Sequence, residues 1–418
     1  MQSTISKKDR EILRDLAKKQ VELSNSSKMA KLRKDWEEHG SFKTSSRPMI
    51  LIETGTFKDD IIPPLLKCEG KSALKLEEEL LLETVNHTLY GDDTVVKDYI
   101  SVKPHLTFIP FGIEVKSFFA KDSKGQTSLG HHFVSVLKDL EEDFFKLGKS
   151  TFGINKENTQ KEIDLKNDIY GDILPVRLCG FSLYCCPTQD IVHIMKMEDM
   201  YTSMYDYPDL FHKMMSNLTN DYLEFFDFLE SQNILQPTFN ECHLAQGSYC
   251  YNDELPVQGT GLKTKDIWGY LDSQETSGVS SEMFAEFIIP YYKLISNRYG
   301  LLSYGCCEAV HPIWDNFLSD LKNLKKVSIS PWCNEEYMGE KLFGKNIVYM
   351  RKPTPNLLGL GVELDENAVK EHIDKTVLAA KGCTLEIIQR DVYKIGSSPI
   401  KVKRYVDLIR SCCENHKK

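Results

Sequence analysis

Two spacings of apolar residues divide the chain into predicted strands and helices. Short apolar runs are typical of buried strands, whereas apolar residues three or four positions apart among charged residues indicate amphipathic helices. The predicted strands are 48–53, 99–109, 174–183, 237–243, 267–271, 301–305, 327–329, 346–350 and 384–388. The predicted helices are 72–89, 208–230, 280–299, 312–324, 334–342, 365–380 and 401–412. From residue 174 onward, strand and helix therefore alternate at least five times.

This alternation predicts an α/β protein with a parallel sheet and helices outside it. The strands are apolar throughout, as in sheets that are covered on both faces. No GxGxxG loop follows an early strand, so the pattern favours a TIM-type (β/α)8 barrel over a dinucleotide-binding open sheet. We therefore expect an eightfold barrel.

The barrel is expected to occupy residues 46–418. Within it, residues 121–165 mix Gly, Lys and Glu-rich stretches and are expected to form an insertion or lid before the main barrel segment. Residues 1–45 carry apolar residues at helical spacing but at low density. We expect them to form an N-terminal helical extension packed on the outside.

Composition narrows the class of partner. The 418-residue chain has a net charge of −9, which argues against nucleic acid or an anionic membrane as ligand. No apolar stretch approaches the roughly 18 residues of a membrane span. Six of the twelve cysteines form three adjacent pairs. Residues 1–34 are polar and do not resemble a secretory signal. We expect reduced thiols and a cytoplasmic protein.

Reactive residue types are concentrated where the predicted strands end, which is where a barrel places its active site. These residues are Glu53, Asn240, His243, Glu275, Cys306, Cys307, Glu308, Cys333, Arg390 and Asp391. Thiolates and carboxylates together are typical zinc ligands. Cys306, Cys307, Glu308 and Cys333 are the predicted metal ligands, and Glu275 and His243 are further candidates. The alternative is that Cys306–Glu308 is a structural turn after a strand.

Several motifs in residues 170–413 resemble the uroporphyrinogen decarboxylase superfamily, and most closely its corrinoid-dependent methyltransferases of the O-demethylase type. The motifs are Met204–Leu210, Ser273-Gln274-Glu275-Thr276, 279–292, Tyr304-Gly305-Cys306-Cys307-Glu308, Ser328-Ile329-Ser330-Pro331-Trp332 and Lys352-Pro353. The resemblance implies a β/α barrel that moves a methyl group from a small O-methyl or N-methyl donor to cob(I)alamin. It implies that a separate corrinoid protein carries this acceptor. Whether the protein forms a homodimer is left open at this point.

Two departures from the superfamily refine this expectation. Its porphyrinogen decarboxylases hold substrate carboxylates with early arginines, whereas the matching strand here offers Glu53 and no arginine. Its zinc-dependent branch has a His-x-Cys pair where this chain has Tyr304-Gly305-Cys306. A lyase or decarboxylase acting on a small carboxylate or tetrapyrrole is the alternative function. A barrel that binds a ligand or metal without turnover is a third reading.

Methyl ethers and methylamines have poor leaving groups, so the implied reaction needs an acid or Lewis acid on the departing heteroatom. Zinc is one candidate for this role. Without zinc, a carboxyl group whose pKa is raised by burial could supply the proton. Glu275, Glu308 and Asp391 are the candidate acids, and Asn240 is a further candidate catalytic residue.

Overall fold

The computed structural model describes residues 5–43, 46–121, 127–180 and 182–416, with the backbone alone described for 119–121 and 127–132. The strands are β1 Met49–Ile52, β2 Ile100–Val102, β3 Leu106–Ile109, β4 Ser117–Lys121, β5 Thr127–Phe133, β6 Thr151–Ile154, β7 Val176–Leu178, β8 Leu183–Cys185, β9 Trp268–Leu271, β10 Leu301–Tyr304, β11 Leu324–Ile329, β12 Val348–Arg351 and β13 Thr384–Gln389. The helices are α1 Lys7–Ser24, α2 Ser27–Gly40, α3 Lys58–Ile61, α4 Lys71–Val85, α5 Leu140–Asp143, α6 Lys156–Tyr170, α7 Pro187–Ile194, α8 Met197–Asp206, α9 Pro208–Ser231, α10 Ser281–Phe287, α11 Ile289–Ser296, α12 Glu335–Leu342, α13 Asn356–Gly359, α14 Glu366–Ala379 and α15 Pro399–Asn415.

Seven strands form a parallel sheet in the order β1, β13, β12, β11, β10, β9, β8. All neighbouring pairs are parallel, so the carboxyl ends of the seven strands lie at one edge. Met49 of β1 is opposite Glu386 of β13, and Tyr304 of β10 is opposite Leu271 of β9. The first strand of the chain therefore lies beside the last. The predicted α/β class with a parallel sheet is confirmed.

A separate apolar cluster covers each face of the sheet. Ile50 and Ile52 of β1 belong to the larger cluster, which includes helix residues such as Phe226 of α9. Met49 and Leu51, the alternate residues of the same strand, belong to a second cluster. Successive side chains of a strand point to opposite faces, so one strand contributes to both clusters. Burial of both faces is the reason the strands are apolar throughout.

The outer edge of β1 is covered by carboxylates instead of a strand. The amide of Ile50 donates to Asp93 Oδ2 at 2.8 Å, and the amide of Ile52 donates to Asp92 Oδ2 at 2.9 Å. Arg47 in turn donates to both oxygens of Asp93 at 2.8 and 2.9 Å. These bonds satisfy the edge amides that would otherwise be buried without partners.

The N-terminal residues 1–45 contain two helices, as expected, but α2 is not peripheral. Trp36 of α2 is fully buried in the second cluster and donates from Nε1 to the Asp93 carbonyl at 2.8 Å. Its ring stacks on Tyr251 with centroids 5.8 Å apart. The low apolar density of this segment concealed its role, because only three residues of α2, Met29, Leu32 and Trp36, are buried in this cluster.

Several predicted elements differ from the observed ones. The predicted strand 237–243 is irregular loop, and Pro237 at its start has no amide to contribute to a sheet. The predicted helix 312–324 consists of two short 3-10 turns, His311–Ile313 and Leu318–Asp320. The predicted helix 280–299 is divided into α10 and α11, since Pro290 cannot donate the amide that would join them.

The predicted strands 99–109 and 174–183 are each divided into two shorter strands, β2 with β3 and β7 with β8. The predicted insertion 121–165 contains β5, α5, β6 and most of α6, while its residues 122–126 lie outside the described residues. β3 pairs antiparallel with β6, and β4 pairs antiparallel with β5, apart from the main sheet. Within the described ranges, no helix combines the length and apolar character required to cross a membrane.

Candidate functional site

A sharp turn after β10 builds the centre of the candidate site. Gly305 has a φ of +97°, a conformation that favours glycine. A Cβ at this position would lie 3.1 Å from Val310 Cγ1 and 3.2 Å from Ser328 Cβ, so space is restricted as well. The turn sends Cys306, Cys307 and Glu308 over the carboxyl edge of the sheet, where the sequence analysis expected reactive groups.

Glu308 joins the ends of two strands. It is 4% exposed, and its carboxylate accepts hydrogen bonds from the amides of Ser273 at 3.1 Å and Cys306 at 2.8 Å. Burial and the nearby Asp272 carboxylate raise the pKa of Glu308 to about 8, although the two amides oppose this. Both oxygens are therefore occupied by backbone donors, which is the role of a structural clamp between β9 and β10.

Asp272 is a buried carboxylate at the end of β9 that the sequence analysis did not select. Its Oδ2 accepts from the Tyr270 hydroxyl at 2.7 Å, while its Oδ1 has no hydrogen-bond partner among the described residues. Burial raises the pKa of Asp272. Its position as the first residue after a strand was the available signal. What distinguishes it from other strand-end carboxylates is burial, which depends on the whole fold.

Cys306 and Cys307 differ in exposure but lie in contact. Cys306 is buried and Cys307 is exposed. The two Sγ atoms are nevertheless 3.5 Å apart, because the chain is no longer extended after Gly305. The hydrogen bond from Cys306 lowers the pKa of Cys307, and the same contact raises the pKa of Cys306.

A cavity of about 700 Å³ opens beside these thiols and is called the Glu275 cavity here. Its walls include Val192, Met197, Ala309 and Trp332, which are apolar, together with Gln189, Glu275 and Cys307, which are polar. Glu275 is 4% exposed and accepts from the Thr188 hydroxyl at 2.9 Å. Burial, and then the charge of Asp272, raise the pKa of Glu275. A protonated carboxyl at the wall of an apolar cavity can act as a general acid.

A second cavity of about 680 Å³, the Arg390 cavity, lies where β1 and β13 end. Its wall includes Glu53, Lys103, His243 and Arg390. Arg390 Nε is 3.1 Å from Glu53 Oε2, so the first and last strands of the sheet are linked by an ion pair at this edge. His243 is exposed where it lines this cavity.

Lys352, at the end of β12, is a further buried group near the Arg390 cavity. It is 5% exposed and donates to the Gln246 carbonyl. Burial, followed by the charge of Arg390, lowers the pKa of Lys352 to about 7. A lysine with a pKa near neutrality is a candidate proton carrier. The Lys352-Pro353 motif was quoted from the sequence, but the lysine itself was not selected as a site residue.

The remaining predicted site residues lie apart from the Glu275 cavity. Asn240 lines a different cavity of about 380 Å³, together with Arg33 of α2. Asp391, which has a φ of +56°, is a half-exposed side chain beside Arg390. The buried Cys333 accepts at Sγ from the amide of Val310 at 3.3 Å. Of the four candidate catalytic residues, the structure brings Glu275 and Glu308 to the thiols. Asp391 acts on Cys307 through its charge, and Asn240 lies elsewhere.

The predicted zinc ligands are not gathered into a metal-binding group. Among the residues whose side chains are described, no three His, Cys, Asp or Glu side chains are arranged to hold a metal ion. The carboxylate of Glu308 is engaged with two backbone amides, and Cys333 with a third. The residues present therefore do not fit a zinc ion in this arrangement.

Comparisons with known proteins were made for the whole chain. No protein-family model matches it, and no curated protein matches its sequence significantly. Among matching solved structures is a methyltransferase from Methanosarcina mazei, with 13% identity and a TM-score of 0.43 over 81% of this chain and 86% of that chain. At this level the likeness assigns no activity to this chain.

Proposed function

We propose that this protein is a methyltransferase that moves a methyl group from a small methylated donor, such as a methoxylated aromatic, to cob(I)alamin on a separate corrinoid protein. The motifs that resemble the corrinoid-dependent methyltransferases support this proposal by their positions. Ser273–Thr276 comes just after β9, and Tyr304–Glu308 and Ser328–Trp332 begin in the last residues of β10 and β11. These three strands are neighbours in the sheet. Three separated motifs therefore meet at one edge.

The observation that carries the proposal is the Glu275 cavity. Its apolar wall of Val192, Met197, Ala309 and Trp332 suits a small aromatic or methylated donor. Glu275 lies in the same wall, and burial raises its pKa, which favours its protonated form. When the methyl group leaves, Glu275 would donate its proton to the departing oxygen or nitrogen.

The rim of the cavity suits a protein partner. Trp332 lines the Glu275 cavity and is 76% exposed, which is unusual for so large an apolar side chain. Aromatic residues of this kind are enriched where protein surfaces meet. The corrinoid protein would present its methyl acceptor at this rim, opposite the proton donor.

We also propose that the seven-stranded sheet is the wall of the expected eightfold barrel. The strand order places β1 beside β13, so that the first strand of the chain pairs with the last, as in a closed barrel. Alternate residues of β1 belong to two different apolar clusters, so both faces of the sheet are covered, which supports this proposal. The segment that follows Asp92 and Asp93, together with the β2–β7 pair, would complete the wall beside β1.

A lyase or decarboxylase acting on a small carboxylate is the second candidate. The observation in its favour is the Arg390 cavity, where Arg390 and Lys103 line the wall. The early strand has no arginine, as noted above, but the last strand delivers one to the same edge. Guanidinium and ammonium groups are the usual partners of substrate carboxylates.

One experiment separates the two candidates. The purified protein is incubated with methoxylated aromatics and methylamines, with and without a corrinoid protein in the cob(I)alamin state. We expect methylation of the corrinoid, followed by its visible spectrum, and no demethylation when the corrinoid protein is omitted. Demethylation without any corrinoid would overturn the proposal, and release of carbon dioxide from a carboxylate substrate would favour the second candidate.

A further inference from the structure

The adjacent cysteines after β10 form a pair with unusual access. Cys306 and Cys307 have their Sγ atoms 3.5 Å apart, and Cys307 is exposed at the wall of the Glu275 cavity. Solvent and small molecules can therefore reach one sulfur of a pair whose second sulfur is within van der Waals contact. This arrangement has no counterpart in the mechanism proposed above, which uses the carboxyl group of Glu275.

The other two adjacent pairs of cysteines are not accessible in this way. Cys185 and Cys186, at the end of β8, are 1% and 2% exposed. Cys412 and Cys413 lie within α15 and are also buried. Accessibility therefore distinguishes Cys306–Cys307 from pairs with the same sequence pattern.

We propose that Cys306 and Cys307 are a reversible redox site, at which a low-molecular-weight disulfide converts the two thiols into an intramolecular Cys306–Cys307 disulfide. This modification acts on the wall of the Glu275 cavity. It is independent of the identity of the methyl donor and of the acceptor, and it does not require a metal ion.

The reaction proceeds by two thiol–disulfide exchanges. The exposed Cys307 loses its proton and attacks one sulfur of the small disulfide, whose S–S bond breaks and releases one small thiol. Cys306 then loses its proton and attacks Cys307 Sγ of the mixed disulfide, releasing the second small thiol. The protein loses two hydrogen atoms in total, and the oxidant is reduced to two thiols that carry them.

The order of attack follows from exposure, and the second step follows from proximity. Cys306 is too buried to meet a small disulfide directly, but its sulfur is already 3.5 Å from that of Cys307. Intramolecular attack at this distance should outpace a second encounter in solution.

Reversibility follows from the covalent geometry of adjacent residues. Their Cα atoms are about 3.8 Å apart across a trans peptide, whereas disulfides usually join Cα atoms about 4.4–6.8 Å apart. The product would be strained, and strained disulfides are the readily reduced ones. Closure would also draw the sulfurs from 3.5 Å to about 2.05 Å and move the backbone next to the Glu308 clamp.

The first test is a mass measurement that does not depend on enzyme activity. The full chain is treated with oxidised glutathione, the remaining thiols are alkylated, and the peptide containing both cysteines is analysed. We expect this peptide to be two hydrogen atoms lighter and unalkylated, and to regain both alkylation sites after dithiothreitol. A stable glutathione adduct on Cys307, pairing with another cysteine, or two free thiols would overturn the proposal.

Variants test the order of the steps. Cys306→Ser should stop at a glutathione adduct on Cys307, and Cys307→Ser should leave Cys306 unmodified. Cys383→Ser, at a half-buried single cysteine, is the matched control and should behave like the wild-type chain. An unmodified Cys307 in the Cys306→Ser variant would contradict the proposed first attack.

A second test uses the wild-type chain and therefore does not depend on whether a variant folds. Phenylarsine oxide forms two As–S bonds with close thiol pairs, so one equivalent should protect both Cys306 and Cys307 from alkylation in the wild-type chain. If it protects neither sulfur, the two thiols do not act as a pair and the proposal fails. If the thiols react as expected but the untreated protein shows no methyl transfer to the corrinoid protein, that result would count against the proposed function alone.

Discussion

Lys326 of β11 and Glu386 of β13 form a buried ion pair across one face of the sheet. Lys326 Nζ lies 2.7 Å from Glu386 Oε1, and the side chains are 2% and 0% exposed. The Ser248 hydroxyl donates to the other oxygen of Glu386 at 2.6 Å, and His39 Nε2 of α2 lies 3.3 Å from Oε1. Helix α2 is thus attached to the sheet by polar as well as apolar contacts.

Removal of one partner of this pair should be costly. Lys326→Met leaves Glu386 charged and buried, and the expected loss is about 3–5 kcal/mol of unfolding free energy. The double variant Lys326→Met/Glu386→Leu should regain much of it, since no buried charge then lacks its partner. Urea denaturation of both variants tests this, and equal losses in the two would contradict the explanation.

The same pair predicts how stability depends on acid. Burial opposes ionisation of Glu386, but the charge of Lys326, together with the neighbouring His39 and the hydrogen bond from Lys326, holds the pKa of Glu386 below its usual range. Because the pKa is lower in the folded state, the stabilisation is complete above the unfolded pKa of about 4.3 and is lost as pH falls towards the folded value. The Glu386→Gln variant should lack this pH-dependent part of the unfolding free energy, as measured by denaturation curves between pH 5 and about pH 2.5.

Glu275→Gln should impair turnover without loss of the fold. If Glu275 donates the proton to the leaving group, the methyl-transfer rate should fall by about 10²–10⁴-fold. Activity of the wild-type enzyme should decline as pH rises through the raised pKa of Glu275, and the variant should lose this dependence. Glu336→Gln, at an exposed position of α12, is the control and should keep both the rate and the pH profile.

Glu308 should destabilise the folded chain as pH rises towards 8. Its folded pKa of about 8 is higher than the unfolded value of about 4.3, so the folded state binds the extra proton in this window. Its contribution to stability is therefore complete below about pH 4.3 and is lost as pH rises to about 8. In the Glu308→Gln variant, the melting temperature should depend less on pH over this range. An unchanged dependence would show that another group binds the extra proton of the folded state.

Gly305→Ala tests whether the turn after β10 needs glycine. A side chain at φ +97° is strained, and its Cβ would also approach Val310 and Ser328 within about 3.2 Å. We expect a loss of more than about 1 kcal/mol in urea denaturation. Gly344→Ala has a similar positive φ but open space around the new Cβ, so it should cost less. Equal losses would show that conformation alone matters.

Substitution by alanine should affect stability at one tryptophan and partner binding at another. Trp36→Ala removes a fully buried ring of α2 and should cost about 3–5 kcal/mol of stability. Trp332→Ala removes an exposed ring at the rim of the Glu275 cavity and should leave the melting temperature almost unchanged. It should instead raise the KM for the corrinoid protein in the methyl-transfer assay.

The sequence by itself determined the elements whose signal is local. Apolar runs located β1, β9, β10, β11, β12 and β13, and helical spacing located α4, α9, α12, α14 and α15. Their alternation was sufficient to predict a parallel sheet, because parallel neighbours require a crossover between them. Strand ends then identified the turn of Cys306–Glu308 and the position of Glu275.

Tertiary structure decided where the strand-end side chains point and what surrounds them. Glu308 turns back to two backbone amides and the two sulfurs meet, because Gly305 takes the chain out of the extended conformation. The burial of Glu275 and Asp272, which raises the pKa of both carboxyl groups, results from residues far apart in the chain. Burial and proximity are properties of the packed molecule, and no local pattern of residues encodes them.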